Sequence, residues 1–244
     1  MIHLGTWQDA AWPEQVDCII TDPPYSERTH SGNNGGRRVA NRKTGKRGHV
    51  TENCREIDYT SLIEADVQAW AKAWAPRVRY WIAVLTDSEL ISAWRAGFDA
   101  AGLCSFAPVP CVITGMTCRL AGDGPSSWAV YLMVARTKAA AKWGTLPGAY
   151  VVTRDTNEGR QAARIGGKPL PLMQQIVRDY SRPGMLVADP CAGHATTLVA
   201  ALQSGRRVWG AECDPAAHAA AVARLERVTA QPQLITETIQ PELL

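Results

Sequence analysis

Four consecutive residues, Asp22-Pro23-Pro24-Tyr25, bring together a carboxylate, two ring-stiffened backbone units and an aromatic face. They follow Val16 to Thr21, an apolar run that reads as a buried strand, and so stand at its carboxyl end, where open α/β sheets place ligands. The chemistry open to such a group is specific. An exocyclic amine on a nucleobase is a poor nucleophile, because its lone pair is delocalised into the ring. A carboxylate and a backbone carbonyl that both accept from the NH2 group favour tetrahedral nitrogen and stabilise the positive charge developing there. Pro23 and Pro24 stiffen the backbone that aims the carbonyl. The face of Tyr25, more than its hydroxyl, is the useful part, as a surface on which an unstacked base can lie. Alone, a D-P-P turn is more simply a solvent-facing loop, so context must decide.

A second cluster supplies context. Asp189-Pro190-Cys191-Ala192-Gly193-His194-Ala195-Thr196-Thr197 follows one predicted strand and opens a predicted helix, and its small residues permit close backbone approach to a ligand. Ala195 is expected to cost little at the start of that helix. Further on, Gly210-Ala211-Glu212-Cys213-Asp214 ends the next strand, where an acid can hold both ribose hydroxyls of a nucleoside. Glu212 alone would be an ordinary surface acid; its place after the glycine-containing loop makes it a candidate ligand. Asp214 reads as a helix N-cap, and Asp189 could merely terminate a strand.

Charge supplies a third feature. Residues 26–50 hold seven of the 26 basic side chains, Arg28, Arg37, Arg38, Arg42, Lys43, Lys46 and Arg47, against one acid, Glu27. With no other acid in the segment these cations are expected to face water or phosphate, and the run points to a polyanion. The polar stretch 26–58 is too long for a plain connection in a compact domain and reads as a basic insertion loop.

The elements that position these residues follow from periodicity. Leu62 to Trp74 has helical spacing, Val78 to Leu85 reads as a strand, and Ser88 to Ala101 as a helix capped by Gly102. Segments 103–109 and 127–135 read as strands. Then come a helix over Pro169 to Tyr180, a strand over Met185 to Ala188, and a helix over Ala195 to Ser204. A strand over Arg207 to Ala211 and a helix over Ala216 to Val228 complete the series. Alternation of this kind predicts an α/β fold, a mostly parallel sheet with helices on both faces. Of the nine tryptophans, Trp70, Trp74 and Trp94 lie on predicted helix faces and, with Trp209, read as core.

Composition excludes several classes. In 244 residues, 46% are hydrophobic and 20% charged, which rules out global disorder and fits one domain over 1–230 with a tail over 231–244. The longest apolar run, Trp128 to Ala135, is too short to span a membrane, and the first residues lack a secretory pattern, so a soluble, cytoplasmic protein is expected. Seven cysteines, with no C-x-x-C pair, suggest reduced thiols and no metal site.

The motifs together resemble the amino-methyltransferases of DNA, a family marked by D-P-P-Y and by D-P-F-x-G-S-G-T-T. Asp22 to Tyr25 match the first motif and Asp189 to Thr197 the second, with His194 and Ala195 in place of Ser and Gly. Lys168-Pro169-Leu170 is similar to the family's K-P element beside the methionine end of S-adenosylmethionine. D-P-P-Y precedes the cofactor motif, the permuted order of the beta class, in which His3-Leu4-Gly5-Thr6-Trp7 resembles an H-L-G-D start, with Thr6 where the family usually has Asp.

The resemblance implies a seven-stranded, Rossmann-like methyltransferase fold with an antiparallel strand. It further implies Asp22, Pro23, Pro24 and Tyr25 as catalytic residues. Thr21, Asp22, Lys168, Asp189, Pro190, Cys191, Ala192, Gly193, Thr196, Thr197, Glu212 and Cys213 are implied to bind S-adenosylmethionine. The substrate would be double-stranded DNA, with a flipped base methylated in line with the sulfonium. D before P-P-Y leans to adenine N6 over cytosine N4. His194 is not needed as a base, since a methylated amine can lose its proton to Asp22 or water. Only residues 136–167 are available as a recognition segment, so the 26–58 loop is expected to share sequence reading. Monomer and homodimer are both open, and a restriction endonuclease partner is possible without being implied. An RNA or protein amide methyltransferase, and a catalytically silent nucleic-acid-binding form of the fold, stay open as alternatives.

Overall fold

The computed structural model describes residues 2–31, 59–115, 127–140, 143–153 and 167–230. Among these described residues nine strands form one sheet: β1 (Ile2–Leu4), β2 (Val16–Thr21), β3 (Val78–Thr86), β4 (Cys104–Ser105), β5 (Val109–Thr114), β6 (Ala129–Arg136), β7 (Tyr150–Thr153), β8 (Leu186–Asp189) and β9 (Arg207–Glu212). Their order is β1-β9-β8-β2-β3-β6-β5-β7, with β4 beside β6. Pairing is parallel from β1 through β3 and between β5 and β7, and β6 runs antiparallel to β3, β4 and β5. The expected seven strands and single antiparallel member are present, supplemented by the short β1 and β4.

The sheet is covered by α1 (Glu64–Trp74), α2 (Ile91–Ala100), α3 (Leu170–Tyr180), α4 (Thr196–Gln203) and α5 (Pro215–Ala230). Both faces are buried, which explains why the central strands are nearly continuous apolar runs. On one face Val67 and Trp74 of α1 and Trp94 and Phe98 of α2 pack over Ile19, Ile82, Val84 and Trp209. On the other, Leu172, Met173, Ile176 and Val177 of α3 pack over Cys18, Ile20, Trp81 and Leu85. The pairing of β2 with β3 shifts between Val16 and Cys18, so Val16 shares a face with Ile19 rather than with Cys18, two residues along.

The sequence reading stops the strand near 109, whereas β5 runs through Pro110 to Thr114. Proline inside a run argues against a strand because it lacks a ladder donor. Here β7 begins to pair only at Cys111, so Pro110 lies beyond that ladder. Part of the expected recognition segment, Tyr150–Thr153, is β7 of the sheet itself. Among the described residues no helix is long and apolar enough to cross a membrane.

Candidate active site

Adjacent parallel strands β2 and β8 end side by side, which brings together two motifs far apart in the chain. The Thr21 hydroxyl donates to Asp189 Oδ1 at 2.6 Å, and the Cys191 backbone N–H donates to the same oxygen at 3.1 Å. Asp189 is 2% exposed. Burial pushes its carboxyl up to about 6, against the opposing effect of the hydrogen bonds from Thr21, Thr197 and Cys191.

One residue past Thr21, the Asp22 carboxylate is held on both oxygens. The Tyr25 hydroxyl donates to Oδ1 at 2.9 Å, and Lys168 Nζ donates to Oδ2 at 2.7 Å. Burial, followed by the nearby Asp22 charge, raises the Tyr25 phenol well above its usual range, so it stays a neutral donor. The Tyr25 hydroxyl thus has a use that the sequence reading, centred on the ring face, did not give it: it orients the carboxylate. Lys168, just ahead of α3, also places its ammonium 4.8 Å from the centroid of the Tyr25 ring.

A third group forms at the end of β9. Glu212 Oε2 accepts from the Gly193 N–H at 2.7 Å, Oε1 accepts from the Asp214 N–H at 2.8 Å, and the Cys213 thiol lies 3.8 Å from Oε1. Asp214 caps α5 by accepting from the Ala217 N–H at 2.6 Å, as expected of an N-cap. The loop over Pro190 to Gly193 is pinned to β9 by the Ala192 N–H donating to the Ala211 carbonyl at 2.9 Å. His3-Leu4-Gly5 lies alongside, with Leu4 paired to Glu212 and the Gly5 N–H donating to the Glu212 carbonyl.

Ala195 overturns its expectation. It holds φ 59 and ψ 33, the left-handed region, at the entry to α4. A side-chain-bearing residue there is strained by roughly 1–2 kcal/mol, the position favouring glycine. Arg224 of α5 braces this turn, donating to the His194 carbonyl at 3.0 Å and the Thr196 hydroxyl at 2.9 Å.

Sequence reasoning missed Asp87. This buried carboxylate, just past β3, accepts on Oδ2 from the Ser26 N–H at 3.0 Å, the Ser26 hydroxyl at 2.5 Å and the Thr29 hydroxyl at 2.6 Å. Its Oδ1 accepts from the Leu90 N–H at 3.2 Å, so one side chain ties the turn after Tyr25 to the start of α2. An aspartate just ahead of a helical pattern was the available signal.

Of the basic segment, only Arg28 lies within the described residues. It faces water, as expected, with its side chain 80% exposed, and it also pairs with Glu89 at 3.2 Å, an acid outside the segment. Arg37, Arg38, Arg42, Lys43, Lys46 and Arg47, most of the 26–58 loop and the 231–244 tail lie outside the described residues.

Comparison with known proteins adds independent weight. Residues 146–223, which contain Lys168, the 189–197 loop and Glu212, match the DNA methylase family model N6_N4_Mtase. YubD of Escherichia coli (strain K12), which bears a methylase's name, is 28% identical over 214 residues, covering 87% of this chain and 83% of that protein. Among solved structures, the M1.HpyAVI–SAM complex is similar with a TM-score of 0.63 at 17% identity, over 92% of this chain and 100% of that one. TTHA0409 of Thermus thermophilus, complexed with S-adenosyl-L-methionine, gives 0.62 at 19% identity over 95% of each chain. The cytosine-N4-specific PvuII DNA methyltransferase gives 0.64 at 14% identity, over 93% of this chain and 89% of that one. The family model matches the part of the chain that holds the cofactor motif, and the solved structures show that the fold as a whole is shared with DNA methyltransferases.

Proposed function

We propose that this chain methylates the exocyclic amine of a base in double-stranded DNA, using S-adenosylmethionine, with adenine N6 favoured over cytosine N4. The observation that carries the reading is the Thr21–Asp189 hydrogen bond, which holds the amine-binding motif against the cofactor motif at 2.6 Å. The residues fit the cofactor. Glu212 ends β9 with its carboxylate fixed by the Gly193 and Asp214 N–H groups, at the strand end where an acid can hold ribose hydroxyls. Around Gly193 a Cβ would meet nothing within 4 Å, so the loop surface is open to close approach.

When bound, S-adenosylmethionine supplies an electrophilic methyl group carried on a sulfonium. The protein's part is to make the amine nucleophilic. Asp22 accepts from the NH2 group and stabilises the charge that develops as nitrogen becomes tetrahedral, in a site where the carboxylate is already oriented. The nitrogen gains the methyl group, and one of its protons leaves to Asp22 or to water. Reaching a base edge in this way calls for flipping the base out of the stack, with Tyr25 as its platform. The basic 26–58 loop supplies phosphate contacts, and it shares sequence reading with 136–167. One domain over 1–230 carries the whole activity.

The test is to incubate the protein with plasmid DNA and labelled cofactor, then identify the modified nucleoside by mass spectrometry. N6-methyladenine is expected. N4-methylcytosine would reassign the base, and no methylated nucleoside would refute the reading.

A further inference from the structure

Lys168 sits in the seat that the proposed reaction needs for its substrate. Its Nζ is 2.7 Å from Asp22 Oδ2 and 4.8 Å from the centroid of the Tyr25 ring, and its side chain is only 10% exposed. A tetrahedral, positively charged nitrogen donating to Asp22 beside an aromatic ring is also what a base amine becomes as it takes up a methyl group. The geometry points to Lys168 as an internal stand-in for the target amine, occupying the Asp22–Tyr25 seat in the free protein and displaced when a base enters. This rests on the reading of the site as an amine-methylating centre.

Two physical arguments support it. A partly buried carboxylate without a counter-charge is costly, so an occupant keeps Asp22 paired and ordered between turnovers. Yet one carboxylate cannot serve two cations cheaply. A second unit charge held beside the ammonium is strongly opposed at the low effective dielectric of a partly buried site, so the lysine must leave before charge builds on the substrate. Its flexible four-carbon stem allows withdrawal without backbone movement. The sequence resemblance implies a role for Lys168 at the cofactor; the ion pair with Asp22 assigns it to the base.

The two roles predict opposite results for Lys168→Met. Binding is measured by fluorescence anisotropy with S-adenosylhomocysteine present, on a duplex cut from a plasmid segment that the protein labels, with the methylated position mapped by sequencing. A matching duplex, abasic at the target, serves as the comparison. If Lys168 competes with the base, the variant binds the intact duplex three- to tenfold more tightly than the unmodified protein and gains nothing on the abasic duplex. A phosphate-binding lysine would give the reverse, weaker binding to both. Lys168→Arg, which keeps a cation on Asp22, shows no gain. Should Lys168→Met fail to fold by circular dichroism, Lys168→Gln takes its place, with a gain on the intact duplex again expected. Equal or weaker binding to the intact duplex overturns the proposal, as does an equal gain on both duplexes. Loss of S-adenosylmethionine affinity by calorimetry, with DNA affinity unchanged, also overturns it and returns Lys168 to the cofactor. Absence of methyl transfer by the unmodified protein overturns the reading of the site and the stand-in together.

Discussion

Replacing Asp189 with asparagine isolates the electrostatic strain in the centre of the site. In the folded protein this carboxyl titrates near 6, against 3.8 for its ordinary value, mainly because burial disfavours the charged form. The folded state therefore binds the proton more readily than the unfolded chain between those two values. Stability falls as pH rises through this window, and the full penalty is present above pH 6. A difference of about 2 pH units at 1.36 kcal/mol each corresponds to on the order of 3 kcal/mol. Asparagine keeps an oxygen for the Thr21 hydroxyl and the Cys191 N–H, while a rotated Thr197 hydroxyl can accept from its amide. Urea unfolding of both proteins at pH 7 and at pH 4 removes every other titration from the difference. The variant should be the more stable at pH 7, and its advantage should shrink by about 2–3 kcal/mol at pH 4. An advantage that stays constant within about 0.5 kcal/mol across that range would refute the reasoning, because no single-group titration could then be at work.

Other changes test other contacts. Tyr25→Phe keeps the ring but removes the donor to Asp22, so methyl transfer should fall by roughly 1.5–3 kcal/mol in kcat/KM; an unchanged rate would mean that the face alone matters. Glu212→Ala strips the Gly193 and Asp214 N–H groups of their acceptor and should raise the cofactor Kd in calorimetry, with about 1–3 kcal/mol of stability lost. In Gly210→Ala the new methyl would lie 2.7 Å from Leu198 Cδ1 and 3.3 Å from the Asp189 carbonyl. Chemical denaturation should show a loss of about 1–3 kcal/mol, partly restored by adding Leu198→Ala.

How much of this was legible in the sequence depended on the distance over which each feature is determined. β2 emerges with the boundaries expected, because a doubly buried strand ending in Pro-Pro states both its content and its stop locally. β1 and β7 escaped notice because three or four residues carry little periodicity, and they exist by pairing with β9 and β5. The site shows the same division. Asp22, the 189–197 loop and Glu212 could be found from residue type and spacing. The hydrogen bond from Lys168 to Asp22 spans 146 residues, and no local rule encodes it. The strain at Ala195 depends on the path of the loop into α4, which residue preferences alone do not specify.

The neighbouring placement of β2 and β8 also has a consequence for how the protein is made. Thr21 and Asp189, which join in one hydrogen bond, are separated by 168 positions in the chain. At about 5–20 residues per second, a ribosome needs roughly 8–34 seconds to travel from one to the other. During that time β2 can pair with β3, but its other edge, where Cys18 and Ile19 will meet Val187 and Ala188, has no partner from its own chain. An apolar strand edge left open for that long is a place for neighbouring nascent chains to pair. Soluble yield should therefore respond to the speed of translation between residues 21 and 189, and to chaperones that shield strand edges, more than to changes in the site itself.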